Sequence, residues 1–316
     1  MTPDEYGPEN GLLVPRFAGR STFARIPEID RVPGYDVAIL GVPFDGGTSY
    51  RPGARFGPAA VRQASRHLRP AYHVELGCSP FEAIRVADAG DVAANPFSID
   101  DAMAAIERQA AAVGSGERRI IAIGGDHTVA LPMLRAVASK HGPVALVHFD
   151  AHLDTWDTYF SAPVTHGTIF RRAFEEGLLV EERSIHAGIR GPIYGPGDLI
   201  EDRRMGFRTI RATDLPTIGI GGAIEAIRER VGDLPVYLSV DIDVLDPAFA
   251  PGTGTPEVGG LASRELLQLL RGLTGLDIVG CDVVEVAPAY DHAEITALAA
   301  ATVVFDMIAL LALRSR

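Results

Sequence analysis

Three apolar runs in this 316-residue chain end in side chains that bind metal ions or move protons. The first, residues 146–154 (LVHFDAHLD), closes on Asp150, His152 and Asp154. The second, residues 239–247 (SVDIDVLDP), carries Asp241 and Asp243, and a third ends in GGDH with His127. Residues two apart on an extended segment project to the same side. Asp150, His152 and Asp154 can therefore converge just beyond a strand, and so can Asp241 and Asp243. The glycines before Asp126 and His127 permit a tight turn and close backbone approach. The set amounts to four carboxylates and two imidazoles.

Four carboxylates within a few ångströms raise one another's pKa and repel strongly unless cations sit among them. Two divalent ions supply +4 and balance them. Oxygen-rich ligation with some imidazole suits harder metals such as Mn2+, and the absence of cysteine from the clusters excludes a zinc–thiolate site. Water bridging two such ions becomes hydroxide near neutral pH, a nucleophile aimed at a bound substrate. A single D-x-D at a strand end is ordinarily a cap or solvated surface; the conjunction of three clusters points to a site. Asp126 and Asp246 are expected to brace loops, and His148 to sit in the core or behind the ligands. His67, His73, His141, His186 and His292 have no such context.

These clusters need strands to carry them. Apolar runs predict strands at 36–43, 84–92, 119–124, 143–149, 184–189, 208–211, 235–241 and 276–286. Helical spacing fills the intervals at 58–67, 100–112 (capped by Ser98), 128–140, 168–176, 221–230 and 263–273, and a closing helix follows. Strands that are continuous apolar runs are buried on both faces. The fold class expected is α/β: a single three-layer αβα domain with a mostly parallel sheet of about eight strands. Functional residues in such sheets gather at the carboxyl ends of the strands, where all three clusters lie. Residues 1–35, rich in proline and glycine, read as an extended arm, and residues 36–316 as the catalytic domain.

A net charge of −12, from 29 basic and 41 acidic residues, argues against nucleic acid as a partner. Two cysteines, Cys78 and Cys281, make no disulfide framework and suggest a reducing, cytoplasmic setting. The polar N-terminus does not resemble a signal peptide. The apolar stretch 295–313 contains Asp306, and a charge near a bilayer centre costs roughly 3 kcal/mol. A buried terminal helix, with no membrane partner, is the expectation.

GGDH, DAHLD and SVDIDVLDPAFAPGTGTPE resemble the three signatures of the ureohydrolase (arginase and agmatinase) family, in its agmatinase-like branch. The likeness runs from GVPFDGGTSYRPGARFGP to VVEVAPAYD. It implies an arginase-like fold, two Mn2+ per subunit, and a homo-oligomer, trimer or hexamer. His127, Asp150, Asp154 and Asp241 match the ligands of one ion. Asp150, His152, Asp241 and Asp243 match those of the other, with Asp150 and Asp241 bridging. His166 matches a proton-shuttling histidine, and Glu285 the carboxylate that holds a guanidinium. Asp154 then also handles a proton. Leu153 stands where the family commonly has a small polar residue. The implied reaction is hydrolysis of a linear amidine C–N bond, turning a small cationic guanidino substrate into urea and a primary amine. A guanidinium suits a site whose last charged group is a carboxylate able to pair with it bidentately.

The tail of that substrate is less legible. Agmatine is the first expectation and 4-guanidinobutanoate, a guanidinobutyrase substrate, the second. Trp156, Tyr159 and Phe160 are candidates to line a slot for methylenes, Asp157 to meet an ammonium, and Arg190 with the following GPIYGPG to meet a carboxylate. Rival classes are a deacetylase-like amide hydrolase with one Zn2+ and a non-catalytic paralogue. No ligand position is lost, which counts against the latter. A nucleotide site is weak, since the glycine-rich 41–57 lacks G-x-G-x-x-G and GK[ST].

Overall fold

The structure, a computed structural model, describes residues 6–314. Each expected strand forms: β1 (Val37–Val42), β2 (Val86–Asp91), β3 (Arg119–Gly124), β4 (Ala145–Phe149), β5 (Ser184–Ile189), β6 (Phe207–Arg211), β7 (Pro235–Asp241) and β8 (Asp277–Val284). They build one sheet in the order β2-β1-β3-β8-β7-β4-β5-β6, and every pairing is parallel. Adjacent residues of β3 enter opposite cores: Ile121 and Ile123 join one apolar cluster, Ile120 and Ala122 the other. Helices supply the rest of both clusters, so the domain is three layers, αβα.

Helix boundaries depart from expectation where apolar spacing is silent. Pro196–Arg204 is helical although it follows a Gly/Pro-rich stretch; only Asp202 of it is buried, so no apolar stripe announces it. The helix expected from 221 begins at Leu215 and is broken at Gly219, whose φ of 68° no β-carbon would favour. Ser98 caps the helix Ile99–Val113, accepting from the Asp101 amide at 3.2 Å.

The first five residues of the arm lie outside the described residues. Further along, Phe23 and Ile26 are fully buried. The Phe23 amide donates to Asp88 (2.8 Å) and the Ala24 amide to Ser65 Oγ (2.7 Å), fastening this stretch to the domain.

The closing helix, Ile295–Arg314, has a mean hydropathy of 2.2, and 78% of its apolar window is buried. It packs on the helices Gly57–Ser65 and Ser263–Arg271. Asp306 is fully buried there and accepts from Arg271 Nε at 2.8 Å and His73 Nε2 at 2.6 Å. His73 thus has a structural partner that its sequence context did not show. Removing one member of a buried charge pair strands the other at a cost of about 3–5 kcal/mol. Asp306→Ala is expected to lose about 3 kcal/mol, the low end because the Arg271 side chain keeps 17% of its exposure. A fall in the urea midpoint at unchanged slope measures it.

Candidate active site

The strands β3, β8, β7 and β4 are neighbours at the middle of the sheet. Phe149 is in register with Val240, and Asp241 with Val284. One residue beyond, Asp150 stands level with Asp241, and Glu285 follows from the strand between β3 and β7. The turn after β3 brings His127 to the same edge. Gly125 is required in that turn: a β-carbon on it would lie 1.6 Å from Phe44 O. Its carbonyl accepts from the Glu285 amide at 2.8 Å.

All six expected ligand residues meet there. His127 Nδ1 lies 2.9 Å from Asp154 Oδ2, 3.2 Å from Asp150 Oδ2 and 3.3 Å from Asp241 Oδ2. His152 Nδ1 lies 3.1 Å from Asp243 Oδ2 and 3.3 Å from Asp150 Oδ1. Asp150 thus belongs to two groupings, each able to hold a metal ion.

The environment of His127 tests whether a cation fits. Ser239 Oγ donates to Asp282 Oδ1 (2.6 Å), so it accepts from His127 Nε2 (2.9 Å). A proton is then on Nε2, and Nδ1 faces three carboxylates, which hold the His127 pKa well above its ordinary value against burial. That nitrogen is buried and has no hydrogen-bond partner. A ring nitrogen and anionic oxygens converge in this way around a metal ion, and the histidine–serine–carboxylate chain orients the ring as the outer shell of a metal site does. Burial, then the charges of Asp243 and Asp150, push the Asp241 carboxyl well above its ordinary range. Burial and Asp150 push Asp243 up to about 6. Divalent cations would relieve both.

Other polar groups brace the ligands. His148 Nε2 donates to Asp150 Oδ2 at 2.8 Å, and its Nδ1 meets His186 Nδ1 at 2.7 Å. Behind His186 lies Asp202, with Oδ1 3.3 Å from His186 Nε2, and Asp202 accepts from Thr155 Oγ1 at 3.0 Å. His186, without context in the sequence, is therefore part of a buried polar chain ending at the loop that follows Asp154. Asp126 accepts from the Thr128 and Gly47 amides (3.0 and 2.7 Å), and Asp246 from the amides of Ala248, Gly259 and Gly260. Both brace loops, as expected. Asp154 and Glu285 take φ values of 55° and 65°. For residues with a β-carbon this left-handed backbone costs about 1–2 kcal/mol, and such strain gathers at functional sites.

Glu285 and His166 touch. Glu285 Oε1 accepts from the His127 amide (2.9 Å) and from His166 Nδ1 (3.0 Å), while Oε2 is buried without a partner. His166 Nε2 meets Ser49 Oγ at 2.7 Å and accepts from the Ser49 amide at 3.2 Å. Burial works to neutralise His166, but the hydrogen bond and charge of Glu285, with Asp154 and Asp126 behind, hold its pKa up to about 9.

A pocket of about 350 Å3 opens over this edge, lined by His152, Asp154, Trp156, His166 and Asp241 and walled by Ser49–Arg51, Gly191–Ile193 and Thr255–Glu257. The tail-binding candidates fare unevenly. Trp156 lines it; Tyr159 does not, and Phe160 is 90% exposed. Asp157 is turned to Arg172 (2.8 Å) and Arg171 (3.5 Å). Arg190 is no anion receptor: its N–H groups donate to the carbonyls of Gly188, Asp243, Val244, Leu245 and Glu257, holding the loop that carries Asp243. Arg51, Ser49 and Glu257 line the pocket instead. Arg51 lies in the glycine-rich segment 41–57, where glycine and proline hide its place at the site.

Residues 35–309 match the model of the arginase family. The chain is similar to the guanidinopropionase of Pseudomonas aeruginosa, 46% identical over 99% of this chain and 98% of that one. It is also similar to a putative agmatinase of Schizosaccharomyces pombe, 42% identical over 96% of this chain and 82% of that one. Among solved structures, the proclavaminate amidinohydrolase of Streptomyces clavuligerus superposes with a TM-score of 0.91 at 43% identity, covering 95% of this chain and all of that one. With that match over nearly its whole length, the chain belongs to the arginase family and is a hydrolase of amidine C–N bonds.

Proposed function

We propose that the protein is a dinuclear Mn2+-dependent amidinohydrolase that turns a short ω-guanidino compound into urea and a primary amine. The observation that carries this reading is the buried, unpartnered Nδ1 of His127 among three carboxylates, beside a second grouping on His152 that shares Asp150. His127, Asp150, Asp154 and Asp241 would hold one ion, and Asp150, His152, Asp241 and Asp243 the other. Such a pair of ions supplies the Lewis acidity that makes hydroxide available near neutral pH.

The chain's own groups do the rest. Glu285 Oε2, buried without a donor, gains one from the guanidinium, and the charge pairing fixes the cation's orientation. Asp154 takes the proton released as the water oxygen bonds to the guanidinium carbon. It passes that proton to the departing nitrogen as the C–N bond breaks. His166, joined to Glu285 through Nδ1 and to Ser49 at the pocket wall through Nε2, returns protons between solvent and site.

The tail reading moves from agmatine towards a guanidino acid. Outside the ligand set, the one acid among the described lining residues is Glu257, which faces His152 Nε2 at 3.7 Å. The one arginine is Arg51. We extend the proposal to a cytoplasmic homo-oligomer of three or six chains; the low cysteine count and the exposed Leu12, Leu13 and Phe17 of the arm support it. The test is urea release by the Mn2+-loaded protein from 3-guanidinopropanoate, 4-guanidinobutanoate, agmatine and arginine, with elemental analysis of the same sample. Two Mn2+ per chain and the highest kcat/KM on a guanidino acid are expected. One ion per chain, or no urea from any compound, overturns the reaction; preference for agmatine overturns the tail alone.

A further inference from the structure

Arg51 has a coordination unlike that of the other arginines near the site. Its guanidinium carbon lies 5.2 Å from the ring centroid of Tyr290 and 5.7 Å from that of Tyr50. Aromatic faces hold a guanidinium through its plane and leave its N–H edge free. Among the described residues no carboxylate pairs with Arg51 and no carbonyl accepts from its side chain, whereas Arg55 is held by Asp45 and Arg190 by five carbonyls. The loop that carries it is fixed: Tyr290 Oη donates to Pro52 O at 3.1 Å.

Its position is equally informative. Arg51 lines the same pocket as His152, Asp154 and His166. A β-carbon placed on Gly254 would lie 3.2 Å from Arg51 O and 3.3 Å from Glu285 Oε2, so the two residues flank one glycine. The site therefore offers an arginine fork in the pocket wall and, buried behind the lining His166 that bonds to it, the Glu285 carboxylate. A molecule with a guanidinium at one end and a carboxylate at the other, separated by a few methylenes, answers both charges.

Resting on the amidinohydrolase reading above, we propose that Arg51 is the specificity-determining residue for the substrate tail, and that it selects short ω-guanidino carboxylic acids by a charge-assisted hydrogen-bonded pair with their carboxylate. Tyr50 and Tyr290 keep the fork oriented, so little side-chain freedom is lost on binding.

The experiment compares kcat and KM for 4-guanidinobutanoate, 3-guanidinopropanoate, agmatine and the uncharged-tail analogue n-butylguanidine on the Mn2+-loaded wild type, Arg51→Gln, Arg51→Lys and Arg51→Glu. In Arg51→Gln the ratio of kcat/KM for the acids to that for n-butylguanidine is expected to fall about 10- to 100-fold, carried by KM. Arg51→Lys recovers part of it as a point charge without the fork. Arg51→Glu moves the preference to agmatine, a gain that misfolding cannot produce. A fall of the same size on n-butylguanidine and the acids, or an unchanged ratio, overturns the assignment. Wild type that releases urea from none of the four defeats the underlying reaction, a result distinct from one in which only the ratios stay flat.

Discussion

Asp241→Ala is expected to lower kcat for urea release by about 10^3-fold or more and to bring metal content below two ions per chain. The magnitude follows from what one electrostatic partner at a reacting centre is worth, about 10^2–10^3 in rate, and in the proposed assignment Asp241 would hold both ions. Its Oδ2 lies 3.3 Å from His127 Nδ1, and its Oδ1 accepts from the Asp243 amide at 2.8 Å. The same substitution removes a buried acid whose carboxyl is pushed well up by burial and by Asp243 and Asp150. The EDTA-treated variant is therefore expected to melt within a few degrees of the EDTA-treated wild type, while the Mn2+-induced rise in Tm is lost. That contrast separates loss of a ligand from loss of the fold. The sign of the pH effect follows from Asp243, whose pKa is raised to about 6 in the metal-free protein. Below pH 6 it holds a proton that a metal must displace, so Mn2+ affinity falls as pH falls through that value. Full urea production by Asp241→Ala with metal still bound contradicts the dinuclear assignment.

The convergence of the six candidate ligand residues was legible because each cluster is local: three short segments, each a strand end, two of them with polar residues spaced by two. What the sequence hid depends on which strands become neighbours. Ser239 and Asp282 are register partners across β7 and β8, and only that pairing turns them into the support of His127. His148 and His186 are register partners across β4 and β5, which makes a lone histidine in an apolar run the second link behind Asp150. Strand order was not readable from the runs themselves, since β8 is the last strand in sequence yet lies between β3 and β7. For Glu285 the resemblance to a family stood in for that missing order. Loops were the weakest ground. Arg190 and Arg51 both sit in Gly/Pro-rich segments, and backbone conformation alone makes one a brace and leaves the other's edge free. The polar helix Pro196–Arg204 escaped for a related reason: its one buried residue is Asp202, a charge where apolar spacing would be sought.

Glu285→Gln is the second large effect. The amide has nearly the same shape, and its oxygen can still accept from the His127 amide and His166 Nδ1 as Glu285 Oε1 does now. The other position, today an unpartnered carboxylate oxygen, becomes an NH2 donor. A guanidinium offers only donors, so attraction between opposite charges turns into two donors meeting in a buried place. Since hydrogen bonds to charged groups are worth about 1.5–3 kcal/mol and a buried mismatch adds about 1–3, kcat/KM is expected to fall roughly 10^3-fold. Two metal ions per chain should remain, because no ligand changes. The alkaline side of the pH profile carries a second signature. Glu285 is the main group raising His166 against burial, to about 9. Without that negative charge the His166 pKa drops, and the alkaline limb of kcat/KM moves to lower pH. Activity within threefold of wild type rejects Glu285 as the guanidinium's partner. Loss of metal together with activity makes it a strut beneath His127, which its hydrogen bond to the His127 amide also allows. Retained metal with a displaced alkaline limb fits one arrangement: a carboxylate that holds the cation and sets the charge of the histidine beside it.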